Sequence, residues 1–188
     1  LLAANTLKAA IRDYRRKQFS KLRTGAKVSA NARSILNPKP RLIVSCRGTD
    51  GKDNALVVAY AGNCSFDPPS INIGILPARF SHHIIKQTGC FVANLVTPAQ
   101  KDLYDFMGSS SGRAVDKFAT TGVRSENGIK VNAPLLTDCP INIECTVQGS
   151  VMTGSHEMFI GRIEYVHADE ELVNEDGSID WDKIELLQ

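Results

Sequence analysis

The sequence predicts a mainly β fold with inserted helices (α+β), arranged as a small antiparallel β-barrel with helical connections. Short runs rich in β-branched and aromatic residues, bounded by turn residues, recur between residues 41 and 166. Helical patterns lie between some of these runs but do not alternate with them regularly, which disfavours a doubly wound parallel sheet. The 188 residues, 43% of them hydrophobic, are enough for one full core.

A basic helix and a linker, residues 1–36, are predicted to precede a main domain of residues 37–188. Apolar residues recur in the helix at near-helical spacing, between a capping residue and a terminal glycine. They are Leu7, Ile11, Tyr14 and Leu22, with Asn5 or Thr6 as the cap and Gly25 as the end. The two prolines in residues 37–40 are typical of an extended linker.

Six strands are predicted in the main domain, namely one at 90–96, treated below with the helices, and five others at 41–47, 54–62, 71–75, 141–151 and 158–166. The second is apolar on both faces, so we expect it to be buried on both sides. Gly74 leaves an open place on the third strand, where another group can approach closely.

Helices are predicted between the third and fourth of these strands. Ser81 is placed to cap a helix that ends at Gly89, before a further strand at 90–96. A capping-box pattern with proline at the first helical position starts the next helix, which ends at Gly108. The residues of that pattern are Thr97, Pro98 and Gln100.

An anion site is predicted where two helices begin. Arg79 and Ser81 stand at a helix N-terminus, where backbone N–H groups attract a phosphate. Arg113 and Lys117 are four residues apart on a short predicted helix, hence on one face, and would meet the same dianion. A solvated basic face is the alternative interpretation of this pattern.

The net charge of +2 conceals a basic head and an acidic tail. Residues 1–41 hold eleven basic groups and one acidic group, a net of +10, whereas residues 169–188 hold eight acidic groups and one basic group, a net of −7. Such asymmetry raises the question of a nucleic-acid or membrane partner. We predict neither, and the hypothesis is that head and tail pair with each other. The alternative is a nucleic-acid site on Arg12, Arg15, Arg16, Lys17 and Lys21.

Other classes of chemistry have weak support. The five cysteines are odd in number, none is spaced C-x-x-C, and no secretory signal pattern opens the chain, which together favour a cytoplasmic location. The histidines and cysteines lack the spacing of zinc ligands, so no metal is predicted. No nucleophile elbow, dinucleotide fingerprint or Walker loop occurs.

Seven runs of sequence between residues 38 and 176 occur in a characteristic order. They are NALVVAYAGNCSFDPP (54–69), IGILPARFSH (73–82), FVANL (91–95), SGRAVDKF (111–118), APL (133–135), CPINIEC (139–145) and FIGRI (159–163). Together they resemble the flavin reductase-like FMN-binding split-barrel family, and its flavoredoxins most. The basic helix lies outside the resemblance.

The resemblance implies a split β-barrel homodimer that binds FMN near the subunit interface. The segment after the second strand would contact the flavin ring, Arg79 and Ser81 would bind the phosphate, and Lys117 would stabilise the phosphate or the reduced flavin. The implied cofactor-binding residues are Asn54, Tyr60, Ala61, Gly62, Asn63, Cys64, Ser65, Ala78, Arg79, Ser81, Asn94, Arg113, Lys117 and His156.

The implied function is that of an NAD(P)H-dependent flavin reductase or a flavoredoxin-like electron carrier. NADH or NADPH would be the co-substrate, and a flavin or a protein the electron acceptor. The sequence shows no nicotinamide-binding motif that would distinguish a reductase from an electron carrier, and no catalytic residue is assigned. The alternative is a non-catalytic FMN-binding or sensing module whose basic helix contacts a partner.

Overall fold

The computed structural model describes residues 2–20, 27–30, 32, 36 and 38–188. The chain divides into two compact units, residues 1–37 and 38–188. The first unit contains helix α1 (Leu2–Ser20). Leu7, Ile11 and Tyr14 are exposed along this helix.

Helix α1 begins earlier than its sequence pattern predicts. Asn5 and Thr6 lie inside the helix, so the prediction that either caps it was wrong. The good helix formers that precede Asn5 extend the helix toward its N-terminus. The predicted apolar position Leu22 and the predicted end at Gly25 lie outside the described residues.

The second unit contains most of the regular structure. Its elements are β1 (Leu42–Arg47), β2 (Asp53–Val58), β3 (Tyr60–Phe66), β4 (Pro69–Ile75), α2 (Phe80–Thr88), β5 (Cys90–Leu95), α3 (Lys101–Ser109), α4 (Lys117–Thr121), β6 (Ser125–Asn127), β7 (Pro134–Leu136), β8 (Ile141–Met152) and β9 (Glu157–Ala168). Short 3₁₀ turns lie at Pro98–Gln100, Glu170–Leu172 and Trp181–Lys183.

Seven strands form one antiparallel sheet in the order β2-β1-β5-β8-β9-β4-β3. Its two outer strands, β2 and β3, are consecutive in the chain and are separated only by Ala59. The two ends of the sheet are therefore joined covalently, and the sheet curls into a barrel. The mainly β fold with inserted helices that the sequence predicts is confirmed.

The predicted second strand, 54–62, is divided between the two ends of this sheet. Its first part, β2, pairs with β1 and is largely buried, but β3 pairs with β4 and is mostly exposed. The prediction of a single strand buried on both sides was therefore wrong beyond Val58. The two parts of the predicted strand lie at opposite edges of the sheet, because the chain crosses from one edge to the other at Ala59.

The two largest clusters of apolar side chains in the unit form two layers. The barrel interior includes Val44, Ile73, Phe91 and Phe159, all almost completely buried. Gly161 is required beside them, because a Cβ there would lie 2.6 Å from the ring of Phe91. A second layer packs α3 against β1 and β2 on the outside of the barrel.

The capping box predicted before α3 is confirmed. The Thr97 hydroxyl accepts a hydrogen bond from the Ala99 N–H, and the Gln100 side chain accepts one from the Thr97 N–H at 2.9 Å. Pro98 stands at the first helical turn, as predicted. None of the described helices combines the length and apolar character needed to cross a membrane.

Candidate functional site

A cleft opens where β2, the start of α2 and the segment from α3 to α4 meet. We call it the Lys117 cleft. Five residues of the predicted site line it, namely Asn54, Ala78, Arg79, Ser81 and Lys117. They come from three separate parts of the sequence, so the barrel brings them together.

Lys117 is the buried cation of this cleft. Its side chain is nearly inaccessible, at 3% exposure for the residue, and its ammonium donates to the carbonyl oxygens of Ala55 and Met107, each at 2.7 Å. No carboxylate in the described chain lies within ion-pair distance of this ammonium. Burial, and then the charge of Arg79, lower its pKa from 10.5 to about 8. A buried cation with one remaining N–H and no counter-ion favours an anionic ligand.

Ser81 and Asn54 form the polar floor of the cleft. Both are buried, and the Asn54 amide donates to the Ser81 hydroxyl oxygen at 2.7 Å. Helix α2 begins at Phe80 with Arg79 as the N-cap, and Arg79 makes no side-chain capping bond. The prediction that Ser81 caps the helix was therefore wrong: it lies inside the first turn, with its hydroxyl turned to Asn54.

The cleft has a positive electrostatic character from three sources. The N-terminal turn of α2 presents backbone N–H groups and the positive end of the helix dipole. Arg79 is exposed there, and within the described chain its guanidinium has no ion pair. Lys117 adds its ammonium. Together they fit a phosphate group better than any cation or neutral ligand.

The loop from α3 to α4 completes the cleft with residues that the sequence pattern did not identify. Ser110, Ser111 and Gly112 line it. A Cβ on Gly112 would lie 2.2 Å from the Asn54 side-chain oxygen, so only glycine allows the loop to pack this closely. The glycine that follows the serines was the one sequence feature that indicated close packing of this loop.

Arg113 lies outside the helix that was predicted to carry it. Helix α4 starts only at Lys117, because the Asp116 side chain caps it by accepting from the Ala119 N–H at 3.0 Å. Arg113 therefore does not share a helical face with Lys117, and that prediction was wrong. Its guanidinium lies over the ring of Phe80, with 5.6 Å from the guanidinium carbon to the ring centroid.

Asn94 is held in the core rather than in the cleft. Its amide donates to the Ile43 carbonyl and the Ser45 hydroxyl, both at 2.9 Å, and its oxygen accepts from the Leu136 N–H and the Asn142 amide. With its hydrogen bonds engaged and no exposed surface, Asn94 has no group to offer a cofactor in this structure. The predicted contact is therefore corrected to a structural role joining β1, β5, β7 and β8.

The remaining predicted residues cluster on β3. They are Tyr60, Ala61, Gly62, Asn63, Cys64 and Ser65. In the described chain β3 pairs only with β4, so the backbone of its outer edge is accessible to a ligand or a partner. His156, in the turn between β8 and β9, lies edge-on against Tyr60 at 4.9 Å between ring centroids. The position left open by Gly74 is occupied by Tyr60, whose Cβ would be 3.1 Å from an added Cβ.

The sequence of residues 34–182 matches the model of the flavin reductase like domain. The chain belongs to the flavin reductase-like family. The match includes every residue of the Lys117 cleft and all of β3.

Solved structures and a curated relative agree with this assignment. Flavoredoxin of Desulfovibrio vulgaris (Miyazaki F) is 31% identical with a TM-score of 0.78, over 84% of this chain and 85% of that one. The FMN-binding protein from Thermus thermophilus, solved with bound 1-cyclohex-2-enone, is 26% identical with a TM-score of 0.69, over 84% and 86%. The NADH-dependent flavin reductase StyB of Pseudomonas fluorescens is 25% identical over 64% of this chain and 66% of its own length. Across three further curated relatives, the match spans from about half to about two thirds of their length.

Proposed function

We propose that the chain is an FMN-binding flavoprotein that transfers electrons, either as an NAD(P)H-dependent flavin reductase or as a flavoredoxin-like carrier. The observation that supports it is the buried Lys117 ammonium, which has two carbonyl acceptors and no carboxylate partner in the described chain. Burying such a cation carries a large desolvation free energy unless an anion pairs with it.

The residues of the Lys117 cleft fit the phosphate of FMN. Lys117 and Arg79 supply positive charge, the first turn of α2 supplies backbone N–H groups, and Ser81 supplies a hydroxyl already oriented by Asn54. The serines of the α3–α4 loop supply further hydroxyl donors. Bound FMN would supply the redox chemistry, because a flavin can accept a hydride and release the two electrons one at a time. The chain would supply binding, orientation and charge.

The flavin ring is assigned to β3 by the resemblance. The outer edge of β3 offers N–H groups to polar ring atoms, and the paired rings of Tyr60 and His156 offer an aromatic boundary. The strand has an irregular register between Asn63 and Ser65, and such bulges re-aim the backbone groups of a strand.

The test of this function compares FMN with riboflavin, which lacks the phosphate. Two charge-assisted hydrogen bonds to the phosphate predict FMN binding tighter by about a hundredfold. Equal affinities, or no uptake of either flavin, would contradict the proposal. An anaerobic titration of the loaded protein with NADH and with NADPH then separates the two activities, because a reductase is bleached by one of them and a carrier by neither.

FMN affinity is expected to fall as the pH rises through about 8, the lowered pKa of Lys117. Below that pH the ammonium is charged and meets the phosphate, whereas above it the neutral amine does not. Because this pKa is lower in the folded chain than its ordinary 10.5, the stability of the flavin-free chain instead rises between those two values. FMN titrations at about pH 7 and about pH 9.5 measure the effect, and an affinity that stays constant would contradict it.

A homodimer is proposed to form around β3. Phe66, at the end of this strand, is 96% exposed, and Val151 and Met152 on β8 are more than half exposed. Exposed apolar groups of this size mark interaction surfaces. We expect Phe66→Asp to convert the dimer to a monomer in light scattering coupled to gel filtration. The matched change Ile129→Asp, in the loop between β6 and β7, should leave the dimer intact, and a dimer that survives Phe66→Asp would refute this interface.

A further inference from the structure

A buried carboxylate outside the Lys117 cleft connects helix α2 to the hairpin of β8 and β9. It belongs to Glu157, the first residue of β9, which is only 5% exposed. The sequence analysis did not include Glu157 among the cofactor-binding residues, and the proposed function gives it no role. Its hydrogen-bond partners lie on α2 and β8, so it joins two elements that are distant in the sequence.

Four hydrogen bonds converge on the two carboxylate oxygens of Glu157. Oε2 accepts from His82 Nε2 at 2.7 Å and from Lys86 Nζ at 3.1 Å. Oε1 accepts from Lys86 Nζ at 2.9 Å and from Ser150 Oγ at 2.6 Å. The bonds from Ser150 and then Lys86 lower the pKa of this carboxyl from 4.5 to about 2, so the group is an anion at neutral pH. Because each oxygen accepts two bonds, the carboxylate is fixed in its orientation.

The carboxylate holds α2 at two points along one face of the helix. His82 and Lys86 are four residues apart, hence one above the other on the helix surface. The His82 ring also lies edge-on against Phe159 of β9, with 5.4 Å between ring centroids. Two attachments one turn apart fix both the position and the direction of the first half of α2, whereas a single attachment would let the helix pivot.

These attachments are adjacent in sequence to both parts of the proposed cofactor site. His82 follows Ser81, which lines the phosphate-binding cleft. Glu157 follows His156, whose ring packs against Tyr60 on β3. One buried carboxylate therefore links the turn that would bind the phosphate to the rings that would border the flavin.

We propose that Glu157 is a positioning residue that sets the separation between the phosphate-binding turn of α2 and the aromatic boundary on β3. The inference rests on the proposed function, because one FMN molecule has to reach both regions at once. Two parts of a ligand bind with their combined affinity only when the two regions are held at the spacing that the ligand spans. Supporting hydrogen bonds that lock the element carrying a site residue provide that precision.

The first experiment measures FMN and riboflavin affinities of Glu157→Gln by fluorescence titration of the full chain. Glutamine keeps the shape of the side chain but has one acceptor oxygen, so α2 is held less firmly. FMN affinity is expected to fall about tenfold, the loss of one charge-assisted hydrogen bond to the phosphate, with riboflavin affinity unchanged. Glu164→Gln is the matched control on the same strand, because Glu164 pairs with Arg162 rather than with α2, and it should change neither affinity.

A second variant tests the same attachment from the helix side. His82→Phe keeps an aromatic ring against Phe159 but cannot donate to Glu157, which retains its bonds from Lys86 and Ser150. It should reproduce the selective loss of FMN affinity. Hydrogen exchange of the flavin-free chain adds a measurement that does not depend on FMN: the amides of α2 should exchange faster in both variants, and those of α3 should be unaffected.

The outcomes separate a positioning role from a structural one. A ratio of FMN to riboflavin affinity that stays as in the unchanged chain, an equal loss of both affinities, or unaltered exchange of α2 would each overturn the inference. An unchanged chain that binds FMN no tighter than riboflavin would refute the proposed function alone. The exchange of α2 would then still decide whether Glu157 holds this helix.

Discussion

Replacing Lys117 with methionine is expected to weaken FMN binding by about a hundredfold while leaving riboflavin binding nearly unchanged. Methionine has the length to fill the buried position but cannot donate to the phosphate. The change also leaves the carbonyl groups of Ala55 and Met107 without their donor, so the free energy of unfolding should fall by about 1–3 kcal/mol. Fluorescence titrations with the two flavins, with urea unfolding, measure all three quantities.

Lys101→Met is the matched control for this change. Lys101 lies exposed on α3 in an ion pair with Asp105, away from the cleft, so its loss should affect neither flavin. Retained riboflavin binding shows that Lys117→Met is folded. The steep loss of FMN affinity above about pH 8 should also disappear in Lys117→Met, because no titrating group remains at the position. If FMN and riboflavin affinity fell by the same factor, Lys117 would have a structural role alone.

Sequence patterns predicted which residues form the Lys117 cleft better than they predicted how those residues are arranged. Arg79, Ser81 and Lys117 were all identified as candidate anion ligands, and the structure brings them to one cleft. The helical spacing of Arg113 and Lys117 was misleading, because Asp116 caps α4 and starts the helix after Arg113. A pattern four residues long cannot show where a helix begins when a capping residue lies within it.

Long-range contacts account for most of what the sequence could not predict. The division of the second strand at Ala59 depends on the closure of the barrel, which joins residues distant in the sequence. The family resemblance placed Asn94 at a position that contacts the cofactor, but its hydrogen-bond partners lie on β1, β7 and β8. Local periodicity predicts neither the division of this strand nor the hydrogen bonds of Asn94, because both depend on contacts between strands that are distant in the sequence.

Glu144→Gln is expected to cause the largest loss of stability among the changes considered, about 2–4 kcal/mol in the free energy of unfolding. The Glu144 carboxylate is fully buried and accepts hydrogen bonds from the backbone N–H groups of Ile129, Lys130 and Val131 and from His167. A glutamine has one acceptor oxygen for these four donors and turns an NH₂ group toward the others. The loop before β7 would then lose its attachment to the barrel.

The pH dependence of this loss separates a charge effect from a packing effect. Burial alone would raise the pKa of the Glu144 carboxyl, but the hydrogen bonds from His167 and the loop outweigh burial and lower it below its ordinary 4.5. A carboxyl with a lowered pKa contributes its full stability above the ordinary value, and that contribution declines as the pH falls below it. The difference in stability between the unchanged chain and Glu144→Gln should therefore be constant above pH 4.5 and shrink in more acidic solution. Glu126→Gln, an exposed change on β6, should show no difference at any pH. A deficit in Glu144→Gln that stayed constant into acid would mean that shape, rather than charge, holds the loop to the barrel.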